Sequence, residues 1–186
     1  MADLDFGRMA TYNAEGDKNT TLQIGVYMGH PSINVWSNRS QVVRIPTPRS
    51  FLVLMKQLLR KAISGKPGDK NSVSFTKWDQ ETKKSTQLGV LYVGRDDKAV
   101  IYIGLQVQGH PPTKFPIKAP ISFETGEPMS DHQRSELGAE TLIEQLTHDI
   151  PTAMALTNFK RTDMPNRSGG GGHHVSSSNE NSASIF

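Results

Sequence analysis

The residues of this chain best suited to bind a ligand are aromatic side chains on the polar faces of predicted strands. Side chains alternate between the two faces of a β-strand, and this rule places both tryptophans and two of the four tyrosines on polar faces. They are Tyr27, Trp36, Trp78 and Tyr102. Single-stranded bases stack on such rings, at roughly 1–3 kcal/mol per base and with little sequence preference, whereas duplex DNA hides its base faces. The rings predict a surface for single-stranded nucleic acid; the alternative is that a helix or a second subunit covers them.

The basic residues leave one half of the fold with positive charge and no acidic neighbours. From Asn19 to Gly68 there is no Asp or Glu but there are seven basic residues, in a chain whose net charge is only +3. Such a surface attracts polyanions, of which nucleic acid is the commonest in a cell, although a role in solubility alone is the alternative. The candidate phosphate contacts are basic residues of this segment and others near the predicted rings in sequence. They are Arg39, Arg44, Arg49, Lys83, Lys84, Lys114 and Lys118.

No catalytic or metal-binding motif is recognisable in the sequence. It lacks a Walker loop, a Gly-x-Gly-x-x-Gly and a Gly-x-Ser-x-Gly elbow, and it has no cysteine. A series at four-residue spacing runs through the acidic segment 124–149: His132, Glu136, Glu140, Glu144 and His148. A four-residue step drifts about 40° on a helix, so the outer members of the series cannot share one metal ion. We therefore expect a solvated acidic face, no metal, no cofactor and no enzymatic activity.

Hydrophobic periodicity predicts an α+β fold in which four strands and a helix occur twice. The first set comprises strands at about 4–13, 20–28, 31–37 and 39–46 and a helix at about 47–63, with Thr47 as its cap and Pro48 in its first position. The second set comprises strands at about 71–79, 84–94, 98–108 and, more weakly, 115–123. Its helix begins near Ser130, where Ser130 and Gln133 fit a capping box, and runs to about 148. Pro151 interrupts it, and a last turn or two could continue through Met154 and Leu156. The strands are expected to form antiparallel sheets.

The chain divides into one α+β domain and a tail. Residues 1–164 form the domain, in two halves at about 1–66 and 67–164, and 165–186 are rich in glycine, serine and asparagine. Such a composition cannot bury apolar surface, so we expect a disordered linker and tail. The tail ends in Ile185 and Phe186, two large apolar residues that could fill a partner's pocket or be accidental.

Two resemblances follow from these features. The order of four strands then a helix, repeated over most of 1–158, resembles the Whirly class of single-stranded DNA-binding folds, although the lysine-rich motif of that family is not matched. A basic β core followed by a Gly/Ser linker and a tail ending in Phe is similar to phage and bacterial single-stranded DNA-binding proteins. Among these it most resembles phage-encoded proteins that assist a phage RNA polymerase. The resemblance implies a role in holding melted promoter DNA; the tail departs from the acidic family pattern because Glu180 is its only acidic side chain.

The sequence therefore predicts a non-catalytic, sequence-tolerant single-stranded DNA-binding protein. The resemblance to phage proteins implies a viral origin and a role in transcription or replication. Its expected partners are single-stranded DNA, other copies of itself in a homo-oligomer and, from the resemblance, a phage RNA polymerase. The expected location is the host cytoplasm, away from any membrane, because the N-terminus lacks signal-peptide order and the longest apolar run, 51–55, is too short to span a bilayer. The alternative is a protein-interaction or assembly subunit with a basic partner-binding surface.

Overall fold

The structure is a computed structural model that describes residues 6–119 and 128–162, without the side chains of 46, 77–79 and 158–162. The first half consists of β1 (Ala10–Ala14), β2 (Asp17–Tyr27), β3 (His30–Ser37), β4 (Ser40–Pro46) and α1 (Ser50–Ser64). The second half consists of β5 (Lys70–Asp79), β6 (Lys84–Arg95), β7 (Ile101–Val107), β8 (Thr113–Pro116), α2 (Asp131–Glu144) and α3 (Ile150–Thr162). The predicted α+β class and the repeated order of four strands and a helix are confirmed.

Each half contributes one antiparallel four-stranded sheet with its strands in sequence order. Short hairpins connect the strands, and each tight turn contains one residue that favours positive φ, Gly29 or Asn38. Met28 and Gly29 lie at φ 50° and 80° between β2 and β3, and Asn38 and Arg39 at φ 50° and 66° between β3 and β4. Two consecutive residues with positive φ are typical of the type I′ turn, whose twist matches that of the strands it joins.

One apolar core is shared by both sheets and the helices. It includes Leu22 and Ile33 from the first sheet, Ile103 from the second and Leu59 from α1. The ring of Phe51 in α1 lies 6.0 Å from that of Phe75 in β5. Because one face of each sheet is buried in this core, the opposite face of each is an outer face that points away from it.

The edges of the two sheets meet where β1 and β8 run side by side. The amide of Glu15 donates a hydrogen bond of 2.8 Å to the carbonyl oxygen of Lys114. At the other side of the second sheet, α1 packs on β5 and β6, while α3 contacts β2 and β3. The halves are therefore joined through a sheet edge as well as through the core.

The start of α1 differs from its predicted start. The hydroxyl of Thr47, the predicted cap, donates instead to the carbonyl oxygen of Pro31, at 3.0 Å. The helix begins at Ser50 with Arg49 at the N-cap position and without a side-chain cap. The predicted cap is wrong because Thr47 is buried beside β3, where its hydroxyl donates a hydrogen bond to a strand carbonyl oxygen.

The second helical region starts as predicted and ends later. Ser130 and Gln133 form the capping box, with Ser130 Oγ accepting from the Gln133 amide. Pro151 does not end the helix, because a π-helical turn at Gln145–Asp149 passes directly into α3. The hydroxyl of Thr152 donates to the carbonyl oxygen of His148, at 2.7 Å, so a side chain satisfies a carbonyl next to the proline. Among the described residues, no helix is long and apolar enough to cross a membrane.

Arg95, the last residue of β6, connects the two helical regions from a buried position. It is 4% exposed. Its Nε donates to the carbonyl oxygen of Ala62, at 2.6 Å, and its Nη2 donates to that of Ile63, at 2.5 Å, so the guanidinium caps the C-terminal end of α1. Nη2 also lies 2.5 Å from Glu136 Oε1 of α2. One buried charge thus fixes α1 and α2 to the end of the second sheet.

Candidate nucleic-acid interface

The outer face of the first sheet is polar, and strand pairing arranges its side chains in rows. Gln23, Asn34 and Arg44 are direct neighbours across β2, β3 and β4, and Trp36 lies opposite Gln41 in the next row. Gln23 and Asn34 are nevertheless only 7% and 6% exposed. Polar residues are rarely this buried unless other groups cover them and bond to them. We call Gln23, Ser32 and Asn34 the polar floor.

A short 3₁₀ turn, Phe6–Arg8, covers one end of this face. A Cβ on Gly25 would lie 2.4 Å from the carbonyl oxygen of Phe6, so the turn can approach only because residue 25 is glycine. The approach brings the Arg8 guanidinium to 5.7 Å from the centre of the Trp36 ring. A basic residue from outside the acid-free segment therefore joins the face that carries Trp36.

Two adjoining clefts, of about 650 and about 400 Å³, run over this face and share Arg8, Gln23 and Trp36. We call them together the outer groove. Among the described residues that line it, none is acidic. The groove is therefore positively charged and carries three aromatic rings, one of which, Phe6, belongs to the 3₁₀ turn. Its basic and aromatic residues are Phe6, Arg8, Lys18, Arg39, Arg44, Tyr27 and Trp36.

Tyr27 and Arg44 form a stacked pair within the outer groove. The guanidinium carbon of Arg44 lies 3.9 Å from the centre of the Tyr27 ring. Arg44 Nη2 also donates to Gln41 Oε1, at 2.5 Å, so the guanidinium is held on the ring by one hydrogen bond. Tyr27 is 41% exposed. The ring is as accessible as predicted, but a cation occupies one of its faces.

Arg39 lies exposed at the tip of the β3–β4 hairpin, with positive φ. The tip is tied to β2 by a hydrogen bond of 3.1 Å from the Asn38 amide to the Asn19 carbonyl oxygen. Left-handed backbone is unusual for arginine, and residues in such conformations cluster at functional sites. The turn projects the Arg39 charge beside the groove and close to Lys18, which also lines it.

The outer face of the second sheet carries a second group of rings and cations. The ammonium of Lys70 lies 5.6 Å from the centre of the Tyr92 ring, and that of Lys114 lies 5.0 Å from the centre of the Tyr102 ring. Tyr102 lies on the predicted face but is only 9% exposed, so the expectation of an open ring is wrong there. Its ring packs beside Gly104, 3.5 Å from the position of an added Cβ.

All four cation–π pairs of the described residues lie on the two outer faces. Each ring on those faces that the structure describes has a basic side chain within 6 Å of its centre, the usual range of such contacts. Stacking surface and positive charge, the two requirements for holding a single strand, are therefore paired residue by residue. The first sheet has more basic residues beside its rings, Lys18 and Arg39, and its rings border an open groove.

Lys118, a predicted phosphate contact, forms an exposed ion pair within the chain. Its ammonium lies 2.9 Å from Asp131 Oδ2, at the start of α2. The hydrogen bond and charge of Lys118 lower the pKa of Asp131. Lys118 is neutralised within the chain because the acidic segment, distant in sequence, folds against it.

The other predicted residues lie away from the groove. Arg49 is exposed at the start of α1, and Lys83 and Lys84 are exposed at the β5–β6 hairpin. Trp78 pairs with Ser85 in the same hairpin, and its side chain lies outside the described residues. Residues 185 and 186 lie outside them as well. The predicted residues thus divide between the outer groove, the second outer face and two separate exposed positions.

No group of three or more potential metal ligands occurs among the described residues. Within the His/Glu series, Glu136 is taken up by Arg95, and His148 Nε2 lies 3.4 Å from Glu144 Oε2. The seven basic residues between Asn19 and Gly68 take part in none of the ion pairs of the described chain. Within the described residues, no salt bridge therefore neutralises the positive charge of that segment.

The outer groove brings together four of the predicted residues, Tyr27, Trp36, Arg39 and Arg44, and adds two that sequence patterns did not single out. Arg8 could have been found from Gly25, since a glycine inside a strand signals close approach of another backbone. Lys18 precedes the acid-free segment by one residue. Comparisons of the chain with protein-family models, with curated proteins and with solved structures return no match.

Proposed function

We propose that this protein binds single-stranded DNA without catalysing a reaction, and that the strand lies in the outer groove. The observation that carries the proposal is the pairing of Trp36 and Tyr27 with arginine side chains in a cleft that no described acidic residue lines. Aromatic rings would stack with bases, and Arg8, Lys18 and Arg39 would contact phosphates.

The geometry favours a single strand over a duplex. Stacking requires the flat face of a base, which is available only when the base is not stacked in a helix. A duplex could meet the same charges but would leave the rings of Trp36 and Tyr27 without a partner. We therefore propose sequence-tolerant binding with a preference for single strands.

The biological role that we propose rests on the resemblance to phage-encoded single-stranded DNA-binding proteins. A protein that holds melted DNA would assist a phage RNA polymerase or a replication complex in the host cytoplasm. Several copies would act together along one strand as a homo-oligomer. In the competing proposal, a protein-interaction or assembly subunit, the same rings would be contacts to another chain.

Replacement of Trp36 by alanine tests the proposal. Loss of a stacking ring is expected to weaken binding of a single-stranded oligonucleotide by roughly 1–3 kcal/mol, because that is the usual contribution of one stacked base. The measurement is fluorescence anisotropy of a labelled oligonucleotide, with the melting temperature of the variant recorded alongside.

Tyr92→Ala is the matched control, since it removes a ring with a nearby cation from the other outer face. It is expected to change affinity less than Trp36→Ala does. Equal losses in the two variants would contradict the assignment of the strand to the first sheet. Unchanged affinity in a folded Trp36→Ala protein would show that no base stacks on this ring. If the oligomeric state of that variant is also unchanged, the ring is not a contact between copies of the chain either, which counts against the competing proposal.

Gly25→Ala is expected to weaken binding without a change in any group that contacts DNA. The new Cβ would lie 2.4 Å from the Phe6 carbonyl oxygen, so the 3₁₀ turn must move and Arg8 must leave Trp36. We expect affinity to fall by about threefold to tenfold, comparable to the removal of one charged hydrogen bond of about 1 kcal/mol. Gly104→Ala is the control, because its Cβ would meet neighbours at an ordinary 3.4–3.5 Å. Equal affinities of the two variants for a single strand would show that the turn has no part in binding.

A further inference from the structure

The outer groove holds an unusual concentration of polar atoms without hydrogen-bond partners. Four buried side-chain atoms in the described part of the chain make no hydrogen bond, and three of them line this groove. They are Asn34 Oδ1, Trp36 Nε1 and Arg44 Nε. Buried polar atoms are nearly always paired, and each exception calls for a physical explanation.

The three atoms form a defined set of one acceptor and two donors. The amide of Asn34 is oriented by a bond from its Nδ2 to Ser32 Oγ, at 3.4 Å, which leaves Oδ1 as the acceptor. The indole nitrogen of Trp36 and the Nε of Arg44 are donors only. Asn34 is 6% exposed and lies next to Arg44 across β3 and β4, so the set lies at one place on the sheet.

The complement of this set is a ligand with one donor and two acceptors on one edge. Thymine and uracil present two carbonyl oxygens and one ring N–H on their pairing edge. Cytosine presents one amino group, one ring nitrogen and one carbonyl oxygen. Adenine offers a single acceptor beside its amino group there, and guanine offers one acceptor and two donors. The complementary edge is therefore that of a pyrimidine, which single-strand-binding proteins read on unpaired bases.

Arg44 closes this place in the free chain. Its guanidinium lies over the Tyr27 ring, 3.9 Å from the centre, where a stacked base would lie, and Gln41 holds it there. An arginine plane and a base are both flat groups that stack on aromatic rings. A base that takes this position would turn the guanidinium off the ring and reach the polar floor beneath it. The Nε of Arg44 would remain beside the base and donate to one of its two acceptors.

We propose that the outer groove contains a pyrimidine-reading subsite, formed by Asn34, Trp36 and Arg44 and closed in the free protein by the stacking of Arg44 on Tyr27. The proposal rests on the proposed binding of single-stranded DNA and adds a base preference to it. Most of the strand is held without regard to sequence, and one base is recognised by its edge.

The test compares the affinities of wild type and Trp36→Phe for dC, dT and dA 15-mers, measured by fluorescence anisotropy at one salt concentration. Phenylalanine keeps a stacking ring and removes the N–H donor. We expect wild type to prefer both pyrimidine strands, and the ratio of dC to dA affinity to fall by about fivefold to tenfold in the variant, as for loss of a base-specific hydrogen bond. The ratio of dC to dA affinity is compared, rather than the affinity for dT, because flexible dT strands bind many proteins well without base-specific contacts.

Asn34→Leu serves as the second variant, since it removes the acceptor. Tyr92→Phe serves as the control, since it removes a hydroxyl that donates to Gln106 within the second sheet. The control is expected to keep the wild-type ratio. Equal affinity of wild type for dC and dA, or the same ratio in wild type and both groove variants, overturns the subsite. Absence of binding to all three strands would instead contradict the proposed function.

Discussion

Lys18→Glu combined with Arg39→Glu is expected to reduce both the affinity for single-stranded DNA and its dependence on salt. Removal of one protein–phosphate interaction with a single strand lowers the slope of log affinity against log salt by about 0.7, so the double variant is expected to show a slope smaller by about 1.4. Reversal also adds repulsion, so we expect the affinity at low salt to fall by more than about tenfold. Both side chains are exposed, so the fold is expected to be unaffected.

The control for this experiment is Arg60→Glu with Lys61→Glu. Like Arg39, these residues belong to the acid-free segment, and they are exposed on α1, away from the groove. The net charge of the two double variants is equal, so a general effect of charge would lower both slopes alike. A slope that falls equally in both variants would show that the groove is not the site of the phosphate contacts.

Arg95→Ala is expected to have the largest effect on stability. The substitution leaves Glu136 without its cation and the Ala62 and Ile63 carbonyls at the end of α1 without a donor. Glu136 is 37% exposed and keeps access to water, so the main loss comes from the two carbonyls, at about 1–3 kcal/mol for each buried acceptor left unpaired. The measurement is urea unfolding followed by circular dichroism, and Arg134→Ala, at a more exposed arginine of α2, is the comparison. A loss below about 1 kcal/mol would contradict the proposed role of Arg95 in joining α1 to α2.

Sequence patterns are sufficient for the fold because the local signals agree with each other. Strand alternation and the Ser130–Gln133 capping box each indicate the element that forms there. The predicted cap Thr47 is wrong because its hydroxyl has a better acceptor in β3, a tertiary contact that no local pattern contains. Pro151 is accommodated by a π-helical turn, which no sequence pattern predicts.

The face of each ring can be predicted from alternation, but its exposure cannot. Tyr27 and Tyr102 both lie on outer faces, yet one is 41% and the other 9% exposed. The difference depends on which neighbours cross the sheet, and the ring of Tyr102 packs beside Gly104. Tyr92 is a ring that the sequence prediction omits, although it lies between Leu91 and Val93, both buried, and the same rule places it on the outer face.

The cations of the site are harder to predict than its rings. Lys118 is paired with Asp131, which the docking of α2 brings close to it. The two residues are separated in sequence, so no local pattern indicates the pair. Arg8 reaches Trp36 because a 3₁₀ turn replaces the start of the predicted first strand. The polar floor was likewise unexpected, since no pattern indicates that Gln23 and Asn34 would be buried under other side chains.

The central claim, that a single strand lies in the outer groove, is tested most directly by the fluorescence of Trp36. The chain has two tryptophans, so Trp78→Phe leaves Trp36 as the only one and makes the emission specific to the groove. We predict that a single-stranded oligonucleotide quenches this emission in a saturable titration, and that the duplex of the same sequence binds more weakly and quenches less. Equal affinity and equal quenching by the two forms, or binding without any change in Trp36 emission, would contradict the claim.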